Sequence, residues 1–252
     1  MTRSDTTKET AWRAIFRLRS ILALNVWLAV VVVFALFVDW WVLEFMRDGS
    51  VFWLPIGHWL EPFGNSKYPI LGGLALIIAF SLLGFSFPAG ARRQLIWSLT
   101  QTAGLIVLAV TLSGLGVRCL KTLLGRPRPA KYFEAGMYEW LPLQFQHLHV
   151  SMPSGHTATV FSIAFVFAVL LPKYRMWIIA AASFVGAGRV MMQYHWPSDV
   201  IVGATLGWLI SRMAARLFTG SNMILACNAK GDYGPGPVWQ NNAQTLRRWF
   251  SS

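Results

Sequence analysis

Six apolar runs, each close to the length of a membrane crossing, follow one another along the chain with short basic or aromatic stretches between them. Hydrocarbon offers no water to backbone N–H and C=O groups, so each run has to satisfy its own hydrogen bonds as a helix. The pattern therefore predicts an all-α, polytopic membrane protein with six transmembrane helices. Their expected bounds are about Ile21 to Val38, Pro69 to Phe87, Leu95 to Val117, His156 to Leu171, Met176 to Met192 and Pro197 to Leu217. With 55% hydrophobic and only 13% charged residues, the chain is far too apolar for an ordinary soluble domain.

Residues 1–20 mix Arg3, Lys8, Arg13, Arg17 and Arg19 with Trp12, Ile15, Phe16 and Leu18, the makeup of a basic amphipathic segment lying on a membrane surface. A signal peptide competes with that reading, but the run after it is long enough to span and lacks a small-residue cleavage site. Asp39, Trp40, Trp41 and Glu44 read as an interfacial edge closing the first crossing. The shorter patch from Val51 to Leu60, with Pro55 and Gly57, reads as surface-lying or re-entrant, and its His58 as interfacial. Residues 218–252 read as a cytoplasmic polar tail with a flexible segment from Gly231 to Pro237. Cys119 and Cys227 are too far apart for a disulfide framework and read as small buried hydrophobes.

The net charge of +12 does not imply nucleic acid, because the basic residues sit in short clusters between apolar runs. The N-terminus, the Arg92/Arg93 turn, the Lys173/Arg175 turn and the Arg-bearing C-terminal end fall on one side of a six-helix arrangement. The positive-inside rule assigns that side, with both termini, to the cytoplasm. Lys121, Arg126, Arg128, His156, Arg189, His195 and Asp199 then share the opposite face. Cations kept outside against that rule suggest a grip on an anion.

The stretch PSGHT, Pro153 to Thr157, sharpens this. Ser154 can cap the helix expected to begin at His156, and Gly155 lets backbone approach a ligand. A helix start presents unpaired N–H groups and the positive end of a dipole, which suits phosphate. Taken alone it is an ordinary capped helix. KTLLGRPRP, from Lys121 to Pro129, and GRVMMQYHWPSD, from Gly188 to Asp199, give it company. Arg128 and Arg189 can fork onto phosphate oxygens and Lys121 can add a compact charge. Binding alone does not require two histidines and a carboxylate. Asp199, one helical turn from His195, can hold one ring nitrogen protonated and leave the other to attack phosphorus. His156 is then available as general acid and later general base. Interfacial histidines with a capping Asp, or a metal held by His156, His195 and Asp199, are the competing readings; the clustered Lys and Arg would repel a metal cation.

The three stretches resemble the signature of the type-2 phosphatidic acid phosphatase superfamily: a lysine, six residues, an Arg-Pro; then Pro-Ser-Gly-His; then an Arg followed at fixed spacings by His and Asp. Here these are Lys121, Arg128 and Pro129; Pro153, Ser154, Gly155 and His156; Arg189, His195 and Asp199. The resemblance implies His195 as nucleophile forming a phosphohistidine, Asp199 as its partner and His156 as acid/base. It implies Lys121, Arg128, Ser154, Gly155 and Arg189 as phosphate ligands, and no metal or other cofactor. Gly188 stands where the last motif usually has serine, so that residue's phosphate contact is lost or passes to backbone. Soluble vanadate-dependent haloperoxidases share the constellation, and the apolar runs argue against that branch.

Membrane members act on lipid phosphates and diphosphates, and bacterial relatives on phosphatidylglycerophosphate, undecaprenyl diphosphate or lipid A phosphates. The expectation is a bacterial inner-membrane phosphatase acting at the periplasmic face, its partners the lipid substrate and the bilayer. A lipid-to-lipid phosphotransferase using the same site is the alternative enzyme. A non-catalytic lipid-phosphate binder is the alternative outside enzymes.

Overall fold

The computed structural model describes residues 26, 29–31, 33–136, 138–143 and 150–242, and the amphipathic leader, the start of the first crossing and the Arg247/Arg248 end lie outside them. The described chain is mostly helical: α1 (Ala29–Asp48), α2 (Ser50–Gly64), α3 (Lys67–Ser86), α4 (Ala91–Leu124), the short α5 (Pro129–Ala135), α6 (Gly155–Leu170), α7 (Arg175–Met191) and α8 (Pro197–Ala214). Among the described residues, four stretches are long and apolar enough to cross a membrane: Ala29–Asp48, Ser50–Ser86, Ala91–Glu134 and Pro197–Phe218. The helices α6 and α7, with 16 and 17 residues, are shorter. Phe34, Phe37 and Trp41 on α1 and Leu71, Ile78, Leu82 and Phe85 on α3 are exposed, as lipid-facing side chains are.

Several elements run differently from their expected course. The first helix does not close at Val38 but continues to Asp48, so Asp39 is not an interfacial edge residue; its side chain is 1% exposed. It can stay in the helix because Arg126 and Ser198 satisfy its carboxylate, as described below. The Val51–Leu60 patch belongs to a 15-residue helix packed on α7 and α6, with Gly57 against Met192 and Gly64 against His156. The chain between α2 and α3 bends at Asn65, whose Oδ1 accepts from the Lys67 N–H at 3.1 Å. Helix α4 runs to Leu124 and stops at Gly125, which is left-handed at φ 59. A Cβ there would lie 1.6 Å from the Leu141 carbonyl oxygen, so only glycine makes this turn into Arg126.

The centre of the bundle is α6, packed against α4, α7 and α8. Gly203 and Gly207 let α8 lie backbone to backbone on α6: a Cβ would come 2.4 Å from the Ser154 carbonyl oxygen and 2.3 Å from that of Ala158. Hydroxyls join the helices where no water reaches, with Ser113 Oγ 2.9 Å from Ser162 Oγ and Ser162 Oγ donating to the Gly207 carbonyl at 3.3 Å.

The end of the chain corrects two expectations. The polar tail packs into the bundle: Ile224 and Leu225 are fully buried with Leu105 and Phe165. The Gly231–Pro237 segment contains strand β2 (Tyr233–Pro235), paired antiparallel with β1 (Leu225–Cys227), so the fold is not wholly α. Gln101 receives the Ile224 N–H at 3.1 Å, and Arg212 donates to the Gly231 carbonyl at 2.7 Å. Cys119 and Cys227, expected to be buried, are both exposed and unbridged.

Candidate phosphate-binding and catalytic site

Backbone hydrogen bonds stitch the three sequence stretches together before any side chain is considered. Ser151 N–H donates to the Arg126 carbonyl at 2.9 Å and Ser154 N–H to the Asp199 carbonyl at 2.9 Å. The chain folds back after α7, so that the Tyr194 and His195 N–H groups donate to the Arg189 carbonyl at 3.1 and 3.3 Å. The fully buried Trp196 closes the ring by donating its indole N–H to the Pro127 carbonyl at 2.9 Å. Residues dispersed from Lys121 to Asp199 thus converge on the N-terminal ends of α6 and α8 and the C-terminal ends of α4 and α7.

His195 lies in the connection between α7 and α8 and is 2% exposed. Its Nδ1 is 3.5 Å from Asp199 Oδ2, the arrangement expected from their spacing of four, reached through the turn ahead of α8. Asp199 is held from several sides: Oδ1 accepts from Arg126 at 2.7 Å, and Oδ2 from Ser151 Oγ at 2.5 Å and from the Trp196 N–H at 3.0 Å. Three of its four neighbours are therefore donors that leave it a fixed acceptor for the imidazole.

Across the site, His156 stands in the first turn of α6, which begins one residue earlier than expected. Ser154 caps that turn, its Oγ accepting from the Thr157 N–H at 3.4 Å and from the Thr157 hydroxyl at 2.9 Å. A Cβ on Gly155 would meet nothing closer than Val117 at 3.6 Å, so the protein's own packing does not demand glycine there. His156 Nε2 is buried and has no hydrogen-bond partner among the described residues. The charges of Lys121, Arg128 and Arg189 all act on His156, and those of Lys121 and Arg128 act on His195 as well. The guanidiniums of Arg128 and Arg189 face one ring, that of Tyr194, at 5.9 and 4.9 Å. The expected site residues are thus brought to one place.

Arg126 is the exception among the cations expected to grip an anion. It is completely buried and its two terminal nitrogens go to Asp199 and Asp39, so it serves the protein's own carboxylates. Gly188 also finds a structural reason: a side chain there would press on Leu60 at 3.1 Å, where α2 lies against α7. Ser151 and Glu61 carry no signal in the sequence, and Asp39 reads there only as interfacial. Glu61, on α2, reaches Arg189 at 3.4 Å.

Burial, opposed by the hydrogen bond to Asp199 and reinforced by the Lys121 charge, pushes the His195 imidazole from 6.5 down to about 3. The ring is therefore neutral in the folded protein and keeps a lone pair at any ordinary pH. The same shift makes acid destabilising: this ring's contribution to stability is full above 6.5 and drains as pH falls from 6.5 towards 3, because only the unfolded chain takes the proton. At pH 5 the loss is about 2 kcal/mol, or roughly 5 °C in thermal midpoint. Thermal unfolding in detergent at pH 7 and pH 5 should show this fall in the wild type and less of it in His195→Gln; equal falls would contradict the assignment.

The sequence profile of the PAP2 superfamily matches residues 102–223. A lipid A 1-phosphatase of Rhizobium johnstonii is 32% identical over 173 residues, covering 67% of this chain and 69% of that protein. An undecaprenyl-diphosphatase of Sulfolobus acidocaldarius is 41% identical over 69 residues, 27% of this chain and 33% of that protein. The crystal structure of Aquifex aeolicus LpxE aligns with a TM-score of 0.43 at 25% identity, covering 66% of this chain and 85% of that one.

Proposed function

This chain belongs to the PAP2 superfamily and is a membrane lipid phosphatase; we propose that it removes phosphate from a lipid of the lipid A class, without a metal, through a phosphohistidine on His195. The observation that carries the reading is that two imidazoles, His195 and His156, lie in the field of the same cations, Lys121 and Arg128, with Asp199 anchored at one of them. Lys121, Arg128, Arg189 and the start of α6 at Ser154 and Gly155 hold the phosphate oxygens. Such fixed donors gain most as charge builds on those oxygens during transfer. His195 attacks, forming a P–N bond as the P–O bond to the lipid breaks, and His156 gives a proton to the departing oxygen. His156 then takes a proton from water, which cleaves the P–N bond and releases inorganic phosphate.

A cation cluster of this kind repels a divalent ion and attracts a dianion, which favours the metal-free route. In this reading the chain crosses six times, with α6 and α7 the two shorter crossings; the positive-inside rule supports cytoplasmic termini and, with them, a site at the periplasmic face of a bacterial inner membrane. The lipid A class is chosen over phosphatidylglycerophosphate and undecaprenyl diphosphate because the Rhizobium similarity extends over two thirds of both chains.

The test is a panel of 32P-labelled lipid A, undecaprenyl diphosphate and phosphatidylglycerophosphate given to the purified protein in detergent. The expected result is free inorganic phosphate, released fastest from lipid A, unaffected by EDTA and inhibited by vanadate. Label moving to a second lipid would make the enzyme a phosphotransferase. Loss with EDTA that a divalent ion restores would make it a metalloenzyme.

A further inference from the structure

Asp199 belongs to a buried ionic cluster whose other members, Arg126 and Asp39, the hydrolytic reading does not use. Arg126 donates 2.7 Å bonds to Asp199 and to Asp39, a residue of α1 that lies 87 positions earlier in the chain. Asp39 also binds the start of α8, accepting from the Ser198 N–H at 2.8 Å and the Ser198 hydroxyl at 2.6 Å. That hydroxyl in turn accepts from Arg126 at 2.6 Å. The rings of Trp196 and Trp140 stand 5.0 and 5.4 Å from the guanidinium carbon. All three ionic side chains are at most 1% exposed.

We infer that Asp39 is a positioning residue for the reaction: by sharing Arg126 with Asp199, it keeps Asp199 immobile and its charge only partly neutralised beside His195. An arginine paired with Asp199 alone would hold the carboxylate in place but neutralise the charge that the imidazole needs opposite it. Two carboxylates on one guanidinium leave the cluster with a net negative charge, directed at His195 and balanced across the site by Lys121, Arg128 and Arg189. The hydrogen bonds from Ser198, the residue next to Asp199, fix Asp39 in the same register as Asp199 itself. A simple tie between α1 and α8 would need the salt bridge but not its placement one residue from the nucleophile's partner.

The inference rests on His195 being the nucleophile, and its test separates the two. Asp39→Asn, Ser198→Ala and His195→Ala are purified in detergent, and kcat and KM are measured with lipid A and with 4-nitrophenyl phosphate, alongside vanadate affinity and thermal midpoint. Asp39→Asn should lower kcat roughly 10–100-fold, with KM and vanadate affinity within about twofold of wild type, because the phosphate clamp is untouched while nucleophile orientation is lost. Ser198→Ala, which loosens the register but keeps every charge, should lower kcat about 3–10-fold with the same unchanged KM, and it decides the matter if Asp39→Asn does not fold. Wild-type kcat in the folded variant while His195→Ala is inactive would overturn the inference and leave the nucleophile standing. Parallel losses of kcat, vanadate binding and thermal midpoint would mark a structural tie and also overturn it. Turnover retained by His195→Ala would remove both.

Discussion

Replacing His195 by alanine is expected to lower turnover of lipid A by on the order of 10^3–10^6-fold, the scale seen when a covalent nucleophile is deleted. A loss of 10^3 corresponds to about 4 kcal/mol of transition-state stabilisation. The affinity for vanadate should change far less, because Lys121, Arg128 and Arg189 and the α6 N-terminus remain to hold it. Brief incubation with a 32P-labelled substrate followed by denaturation in alkali, where phosphoimidazole survives, should label the wild type and not the variant. Label persisting in His195→Ala, or turnover near that of wild type, would show that phosphorus is attacked by something else.

His156→Ala is expected to lose roughly 10^2–10^4 in turnover on lipid A, the usual worth of a positioned general acid–base group. Its signature should depend on the leaving group. A sugar or alkyl oxygen needs the proton that His156 supplies, so the lipid reaction stalls before the phosphoenzyme forms. With 4-nitrophenyl phosphate the departing phenolate needs no proton, and only the second step, activation of water, is impaired. Phosphoenzyme should therefore accumulate in this variant with the aryl substrate and not with the lipid. Equal defects on both substrates, with no accumulation, would remove His156 from the proton-transfer role and leave it a phosphate contact.

The residues that converge on the site could be found in the sequence because their chemistry is conspicuous where it occurs: charges and histidines at the ends of apolar runs have few bland explanations. The supporting shell was hidden for the opposite reason. Asp39 stands beside Trp40 and Trp41, a combination that fits a membrane interface equally well, and its partner Arg126 is visible only once α1 and α4 are placed together. Ser151, two residues ahead of Pro153, carries no distinguishing pattern, yet its hydroxyl makes a 2.5 Å contact to Asp199. Arg126 looked like its neighbour Arg128, and the left-handed turn at Gly125 gives the chain its course into both. The β-hairpin escaped because its strands are three residues long and the second, Tyr233–Pro235, carries a glycine and a proline that look like loop; it is Leu225, Tyr233 and the Gln101 contact that hold them.

The glycines of α8 have a bearing on chemistry they never touch. With Gly203 and Gly207 seated on the carbonyl oxygens of Ser154 and Ala158, the gap between the helix that carries His156 and the helix that anchors Asp199 is gauged at these two points by main chain. Neither position has a side chain that could change rotamer and absorb an error. A single methyl group at Gly207, deep among uncharged residues, would wedge the two helices apart like a shim in a vise and spread the jaws that close on phosphorus.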